Sequence, residues 1–466
     1  MLKNFKRDIY YNLLDLLKQT NVIFLLGPRK CGKTFALNQI DDEMVNTRYF
    51  DFKKLSEDES MNVIDNVVEH IHAGEDVIYL LDETTHMFFP EEEISKLAGA
   101  YTKARQQGIN VKTKIIFAGS QSVALEAWGR RAFCNQARFL KADFLSYSEW
   151  LRYENREDVT ADSYLDFIQG TSDFYNFTTI EDYLKGCLDE TVISNANSRN
   201  YICGNDCELV DVDALMDILY ISMFTLHDVS SAHTFFKSKA FSDKMVYLAK
   251  QISKENPLCS AEVRDRVASS FVSRYDNVKA TDIDTLKQSF AFLLRCGLLS
   301  ATPVFRDMEH ENINVLKQLE DSDGLFRKKS DLLGHVNFTI NYPMFFVEIV
   351  KEIFKDDLPH KLENMLVGSV VECHVRGLLP NKSCFEYHDE EGREIDYVSR
   401  LERIAVEITI SNKSLENIHL NLISEEEEFR KILLTKDVRK VENGIEKIPY
   451  YEFIHELSGG NRNIKF

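Results

Sequence analysis

The sequence is poor in the residues that build fibrous or unstructured chains. Eight prolines and 19 glycines among 466 residues exclude collagen-like and low-complexity architectures. No apolar run approaches the roughly 20 residues that a membrane span needs, so no contact with a membrane is expected. The opening segment, MLKNFKRDIYYNLLDLLKQT, interrupts its apolar stretch with charges and offers no small-residue cleavage site. A secretory signal is therefore not expected, and the chain reads as cytoplasmic. Basic residues are in deficit, 56 against 75 acidic ones, for a formal charge of −19. A field of that sign repels polyanions, so any contact with DNA or RNA would need a local basic patch. The nine cysteines are odd in number and scattered, which in the absence of a signal sequence implies reduced thiols. Only Cys203 and Cys207, in CGNDC, lie close together, and no second ligand pair stands nearby to complete a zinc site.

What the sequence does contain is ordinary globular material: 44% hydrophobic and 28% charged residues. The length suggests roughly three domains at ~150 residues each. Acid is unevenly spread, with 14 Asp/Glu against 3 Lys/Arg between Glu154 and Asp213. Such a run reads as a solvated helical face, or else as an acidic docking surface.

The strongest local signal is the apolar run Val22–Leu26 followed by GPRKCGKT, residues 27–34. It fits G-x-x-x-x-G-K-[ST] between a buried strand and a helix, a phosphate-binding loop. Gly27 and Gly32 let the backbone wrap so that the N–H groups of Gly27, Pro28, Arg29, Lys30, Cys31 and Gly32, proline excepted, can converge on phosphate oxygens. Lys33 is expected at the solvent-facing side of the loop, neutralising the β and γ phosphates of ATP, with the Thr34 hydroxyl on Mg²⁺.

A second strand, DVIYLLDE over residues 76–83, delivers two carboxylates at its carboxyl end. Asp82 is expected to hold Mg²⁺ and Glu83, on the opposite side of the pleat, to polarise the attacking water. Strand candidates at Thr47–Phe52 and Lys114–Ala118, and helices at Met61–Ala73 and Glu91–Gln107, complete a βαβ pattern. The order implies an extra strand between the phosphate loop's strand and the acidic one. GSQS follows the Lys114–Ala118 strand, and Ser120 or Gln121 at its tip either meets the γ phosphate and water or is a plain polar loop residue.

These segments, together with Gly129-Arg130-Arg131 and the stretch FLKADFLSYSE over 139–149, resemble the AAA+ superfamily. More narrowly, the chain is similar to prokaryotic ATPases of the archaeal-type, ATP-binding group that carry a carboxyl-terminal nuclease-like domain. Lys6-Arg7-Asp8 and the segment 180–189 are similar to that family as well. The resemblance implies an α/β fold with a P-loop AAA+ parallel-sheet core over 1–145, a helical lid over 146–250, a winged-helix domain over 251–345, and a degenerate PD-(D/E)xK nuclease-like domain over 346–466. It further implies a homo-oligomeric ring or arc completed by an arginine, with Arg130 ahead of Arg131. A glycine at 129 is expected to end a helix and expose those side chains; the alternative is that both arginines pair with surface acids.

Apolar residues at spacings of three and four mark SYLDFIQ, IEDYLKGCLDETVI and ALMDILYISMFTL as helices, their aromatics reading as core. A helix at 260–272, another from Asp282 to Cys296, and the strand 297–305 suggest the winged helix. Its second helix holds only Lys287 and Arg295 as bases, so it is read as a protein-contact module or, alternatively, as a DNA reader. Glu372, Asp396 and Glu407 fall where a nuclease-like fold would place its metal acids, but Thr409 stands where the catalytic lysine belongs, and Lys413 is the nearest substitute. The function expected is Mg²⁺-dependent ATP hydrolysis driving conformational change, with DNA or RNA as one candidate target; the alternative is an ATP-controlled signalling or defence switch that works through protein–protein contacts with slow turnover. Cleavage by the nuclease-like part is not expected.

Overall fold

The computed structural model describes residues 5–175, 179–193, 210–222, 283–305, 336–354, 365–379, 384–388, 394–399, 401–409, 419–423 and 429–460. The CGNDC pair, the helix expected at 260–272 and Lys413 lie outside these residues. The chain forms two compact units, one from residues 1–149 and 185–207 and the other from 150–184 and 208–466.

The first unit alternates helix and strand: α1 (Asp8–Gln19), β1 (Val22–Leu26), α2 (Lys33–Glu43), β2 (Thr47–Asp51), α3 (Glu57–Ala73), β3 (Ile78–Asp82), α4 (Pro90–Gln106), β4 (Lys114–Ala118), α5 (Ser122–Phe133) and β5 (Arg138–Lys141). The strands form one parallel sheet in the order β2-β3-β4-β1-β5. β4 pairs with β1 on one side (Phe24↔Phe117) and with β3 on the other (Leu81↔Phe117), so it is the strand separating the loop strand from the acidic strand. β1 and β3 are buried along their whole length, as parallel strands covered on both faces must be. Phe24, Tyr79 and Phe117 join a core with Ile64, Leu97, Tyr101 and Trp128 from α3, α4 and α5. The alternate residues Ile23, Leu25, Leu80 and Ile116 are equally buried, and α1 and α2 pack against the strands there.

Local chemistry accounts for the element ends. α3 begins one turn earlier than its apolar period suggests, because Ser56 and Glu59 form a reciprocal capping box that satisfies two of the first-turn N–H groups. Gly129 departs from expectation: α5 runs through it to Phe133. Its role is close packing, since a Cβ there would fall 2.7 Å from Cζ of Phe24. The Phe24 ring is itself stacked between Phe117 at 4.7 Å and Phe139 at 5.1 Å, so it has no room to yield.

The second unit is built on an eight-stranded mixed sheet in the order β12-β13-β11-β10-β9-β8-β6-β7. The strands are β6 (Leu299–Phe305), β7 (Val336–Ile340), β8 (Cys384–His388), β9 (Glu394–Ser399), β10 (Ile404–Glu407), β11 (Arg430–Thr435), β12 (Lys440–Glu442) and β13 (Ile445–Pro449). Helices Ala161–Phe174, Val212–Ser222 and Ile283–Arg295 appear where the periodicity places them. β6, read as the strand of a winged helix, pairs antiparallel with β7 and parallel with β8, so the sheet runs across the boundary expected at residue 345. The aromatics of this unit are core: Tyr164 donates to or accepts from His374 Nδ1 at 2.9 Å and meets the Tyr450 ring edge-on. Burial pushes the His374 imidazole down to about 3, so it stays neutral at every physiological pH.

Gly129→Ala should destabilise the first unit by about 1–3 kcal/mol despite alanine's higher helix propensity, because the added methyl overpacks the Phe24 ring. Urea midpoints of the variant alone and combined with Phe24→Leu measure this. The second substitution should recover part of the loss by making room.

Candidate functional site

The carboxyl ends of β1, β4 and β3 lie side by side along one edge of the parallel sheet, the edge at which such sheets bind ligands. Each strand delivers one part of the site.

β1 delivers the loop, residues 27–34. Gly27 has φ +152°, and a Cβ on it would lie 2.1 Å from the Ala142 carbonyl oxygen, so only glycine fits. Lys30 and Gly32 also have positive φ, 62° and 96°, the backbone pattern that turns successive N–H groups into one concavity. α2 opens at Lys33 with no side-chain cap, leaving its first-turn N–H groups directed at the loop. The Thr34 hydroxyl is exposed on that first turn.

Lys33 does not face solvent as its sequence position suggests. It is only 5% exposed, and its ammonium lies inside the loop, donating to the carbonyls of Gly27 and Pro28 at 2.8 Å each. The Cys31 Sγ is 3.8 Å away. The loop's wrapped backbone presents carbonyls inward at these two positions, and a buried ammonium must be hydrogen-bonded.

β3 delivers the acids. Asp82 is buried, accepts from the Tyr49 hydroxyl of β2 at 2.9 Å, and accepts from the Glu83 amide at 3.0 Å. Burial and the adjacent Asp82 charge push the Tyr49 phenol upward, so it remains a donor. Glu83 is not placed by the strand pleat. The strand ends at Asp82, and Glu83 adopts a left-handed conformation, φ 49° and ψ 42°, opening a short 3-10 turn over Thr84–His86. That turn is pinned by the Thr84 hydroxyl, which donates to the Ala118 carbonyl of β4 at 3.0 Å. Glu83 is therefore aimed by a turn anchored on the neighbouring strand.

β4 delivers Gly119–Ser122, which ties the other two parts together. The Ser120 hydroxyl donates to Glu83 Oε2 at 3.2 Å, whereas Gln121 is buried at the start of α5. Ser122, which no sequence pattern singles out, accepts from the Gly27 amide at 2.6 Å and donates to the Gly27 carbonyl at 3.1 Å.

Arg7 and Glu149, to which the sequence assigned no role, form an ion pair beside the loop. Both are buried. Arg7 Nε and Nη2 donate to the two oxygens of Glu149 at 3.1 and 2.8 Å. Nη1 donates to the Cys31 carbonyl in the loop, and Nη2 also donates to the Asp143 carbonyl at 3.0 Å. Glu149 accepts in addition from the amides of Asp8 and Ser146, at 2.8 and 2.9 Å. Burial alone would raise the Glu149 carboxyl, but the Arg7 charge and these hydrogen bonds outweigh it and hold the group below the ordinary carboxylate range.

Arg130 and Arg131, in the last turn of α5, are both well exposed. Arg130 pairs with Glu126 at 2.6 Å and lies over the Phe139 ring; Arg131 pairs with Glu91. Within one chain, both arginines therefore have surface acids as partners.

In the second unit, Glu372 sits on the helix Met365–Leu378, Asp396 on β9 and Glu407 on β10, the elements expected of them. The buried guanidinium of Arg376, one turn after Glu372, pairs with Glu372 at 2.8 Å and with buried Glu386, and lies 3.8 Å from Asp396. Glu407 instead accepts from the His419 amide at 3.0 Å. Glu386 and Arg376 carried no recognisable signal in the sequence. Burial, with Glu372 nearby, pushes the Asp396 carboxyl upward. Among the described residues no group of three or more His, Cys, Asp or Glu is arranged to hold a metal ion, and no helix is long and apolar enough to cross a membrane.

Three comparisons bear on this arrangement. A family model described as an AAA domain matches residues 19–151, the stretch that holds the loop, the acid strand and Ser120. The chain is similar to the solved structure of a Walker-type ATPase of Pyrococcus abyssi, at 14% identity and a TM-score of 0.30, covering 74% of this chain and 96% of that one. It is also similar to the ORC2 protein of Aeropyrum pernix in complexes with ADPNP and ADP, at 13% identity and a TM-score of 0.26, covering 76% and 95%. No curated protein matches.

Because Glu149 is depressed in the folded state, its ionisation stabilises the first unit above the ordinary carboxylate pKa, and that contribution is lost as pH falls through the depressed value. Glu149→Gln should therefore lower stability at neutral pH and flatten the acid limb below about pH 4.5. Urea unfolding of wild type and variant between neutral and acidic pH checks the sign.

Proposed function

We propose that the first unit binds ATP with Mg²⁺ and hydrolyses it, coupling turnover to a conformational change. The observation that carries this reading is the Lys33 ammonium held within a glycine-wrapped strand–loop–helix turn, on the same sheet edge as Asp82 and Glu83. The AAA-domain match over 19–151 supports it. The loop amides and Lys33 are the groups suited to the triphosphate, with Lys33 exchanging its carbonyl partners for phosphate oxygens. Thr34 and Asp82 offer the hard oxygen donors that Mg²⁺ takes, and the ion when bound would neutralise charge on the phosphates. Glu83 is the base for the attacking water, and the Ser120 hydroxyl fixes the orientation of its carboxylate.

Arg130 is the residue proposed to bridge subunits of a ring or arc. Its exposed i,i+4 pair with Glu126 is worth only about 0.3–0.5 kcal/mol, little enough for the phosphates on a neighbouring subunit to compete for it. Residues 346–466 are proposed to form a non-cleaving, nuclease-like module. Arg376 already supplies a positive charge among the carboxylates, and Thr409 cannot donate a positive charge to a transition state.

Lys33→Ala should abolish ATP binding, and, since the lysine is buried, should also lower the thermal midpoint of the protein. Glu83→Gln should retain ATP and lose turnover by about 10²-fold or more; wild-type turnover in this variant would remove Glu83 from the role. Nucleotide affinity and steady-state phosphate release measure both.

A salt-titrated binding assay with DNA and RNA, run alongside ATPase stimulation, separates action on nucleic acid from an ATP-controlled switch working through protein contacts. The net charge of −19 favours the switch. The expected outcome is weak binding without stimulation, and no nicking of plasmid with Mg²⁺ or Mn²⁺.

A further inference from the structure

The phosphate loop is held from outside as well as by its own glycines. The Arg7 guanidinium reaches it from the segment before α1 and donates Nη1 to the Cys31 carbonyl, while Nη2 reaches the Asp143 carbonyl at 3.0 Å. The two carbonyls flank the loop. Cys31 immediately precedes Gly32, and Asp143 follows Ala142, whose carbonyl is the atom that forbids a side chain at Gly27. Gly32 would place a Cβ 3.3 Å from Arg7 Nη1, so the guanidinium lies directly against the loop's second glycine. In a trans peptide the C=O and the following N–H point in opposite directions. Drawing the Cys31 oxygen outward to Arg7 therefore turns the Gly32 amide to the other side of the peptide, into the concavity of the loop.

We propose that Arg7 is a positioning residue for the phosphate loop: it fixes the Cys31–Gly32 peptide so that the Gly32 amide is presented to the phosphates of ATP. The inference rests on the reading of residues 27–34 as an ATP site. Glu149 is the counterpart that makes the device work. It accepts from Nε and Nη2 of the guanidinium, and its own position is set by the amides of Asp8 and Ser146. A planar five-donor group can serve a carboxylate and two carbonyls at once; an ammonium cannot reproduce that fork.

A merely structural ion pair predicts something different. Removing either charge alone leaves the other buried and unpaired and destabilises the fold, but removing both should restore the fold and, with it, every property. The test is therefore Arg7→Met combined with Glu149→Gln, in which the glutamine still accepts from the Asp8 and Ser146 amides. Two measurements are made on the full chain. One is the affinity for a fluorescent ATP analogue with Mg²⁺; the other is hydrogen exchange over residues 27–34 without nucleotide.

The double variant should melt near wild type, yet bind the analogue on the order of tenfold more weakly and exchange faster over 27–34 than elsewhere in the unit. Arg7→Lys should keep the pairing with Glu149 and show the same loosened loop. Wild-type affinity and wild-type exchange in a well-folded double variant would overturn the role of Arg7. Should the double variant not fold, unchanged exchange over 27–34 in Arg7→Lys overturns it equally. A folded wild-type protein that does not bind the analogue at all overturns the ATP reading instead, and exchange over 27–34 then decides separately whether Arg7 holds the loop.

Discussion

The first unit depends on one buried ion pair. Arg7 and Glu149 are 142 residues apart, at the two ends of the parallel-sheet unit's first segment, and neither is accessible to water. Desolvating two charges is costly, and the cost is offset only when geometry is good and every donor and acceptor is used. Here the carboxylate is engaged by the Nε–Nη2 edge of the guanidinium and by two backbone amides, and the guanidinium also serves two carbonyls. The pair closes the unit, and it does so against the phosphate loop. A stabilising contact and a loop-shaping contact are thus the same side chain.

Around that anchor, the site is assembled by neighbours in the sheet and not by neighbours in the sequence. β4 lies between β1 and β3, and its exit segment reaches both ways: Ser122 grips the Gly27 peptide while Ser120 meets Glu83. The turn that aims Glu83 is itself fastened to β4 through Thr84. A small shift of the β4 tip would be felt at the loop and at the acid together, since packed interiors transmit displacement instead of absorbing it. This gives physical content to the proposal that turnover is coupled to conformational change.

The second unit shows the limit of reading acids as a site. Glu372, Asp396 and Glu407 lie on a helix and two strands, yet the surroundings of Glu372 and Asp396 are set by Arg376 and Glu386. An arginine one helical turn from Glu372 faces the same side, and there its charge meets the carboxylates. Glu372, Glu386 and Asp396 are held around Arg376 as an ion-pair node between a helix and a sheet, whereas Glu407 accepts from the His419 amide. Burial, with Glu372 nearby, pushes the Asp396 carboxyl upward, and the Arg376 charge works against that shift.

The sequence by itself determined the parallel α/β unit, the loop at 27–34, the acids at the end of the third strand and the presence of an extra strand between that strand and the loop's own; that β4 is the strand interposed came from the sheet order. Each of these is a local pattern: apolar runs of strand length, helical periodicity, and glycines at fixed spacing from a lysine. Only the tertiary structure decided where Lys33 points, that Ser120 meets Glu83, that Gly129 lies within a helix against Phe24, and that the Arg7–Glu149 pair reaches the loop at Cys31. It likewise placed Ser122 on Gly27 and Arg376 among the carboxylates. These are contacts between residues tens to more than a hundred positions apart, or choices between two sides of one turn. Local spacing fixes the period of a segment. The partner a buried polar group finds is fixed only when strands take their order in the sheet and water is excluded between them.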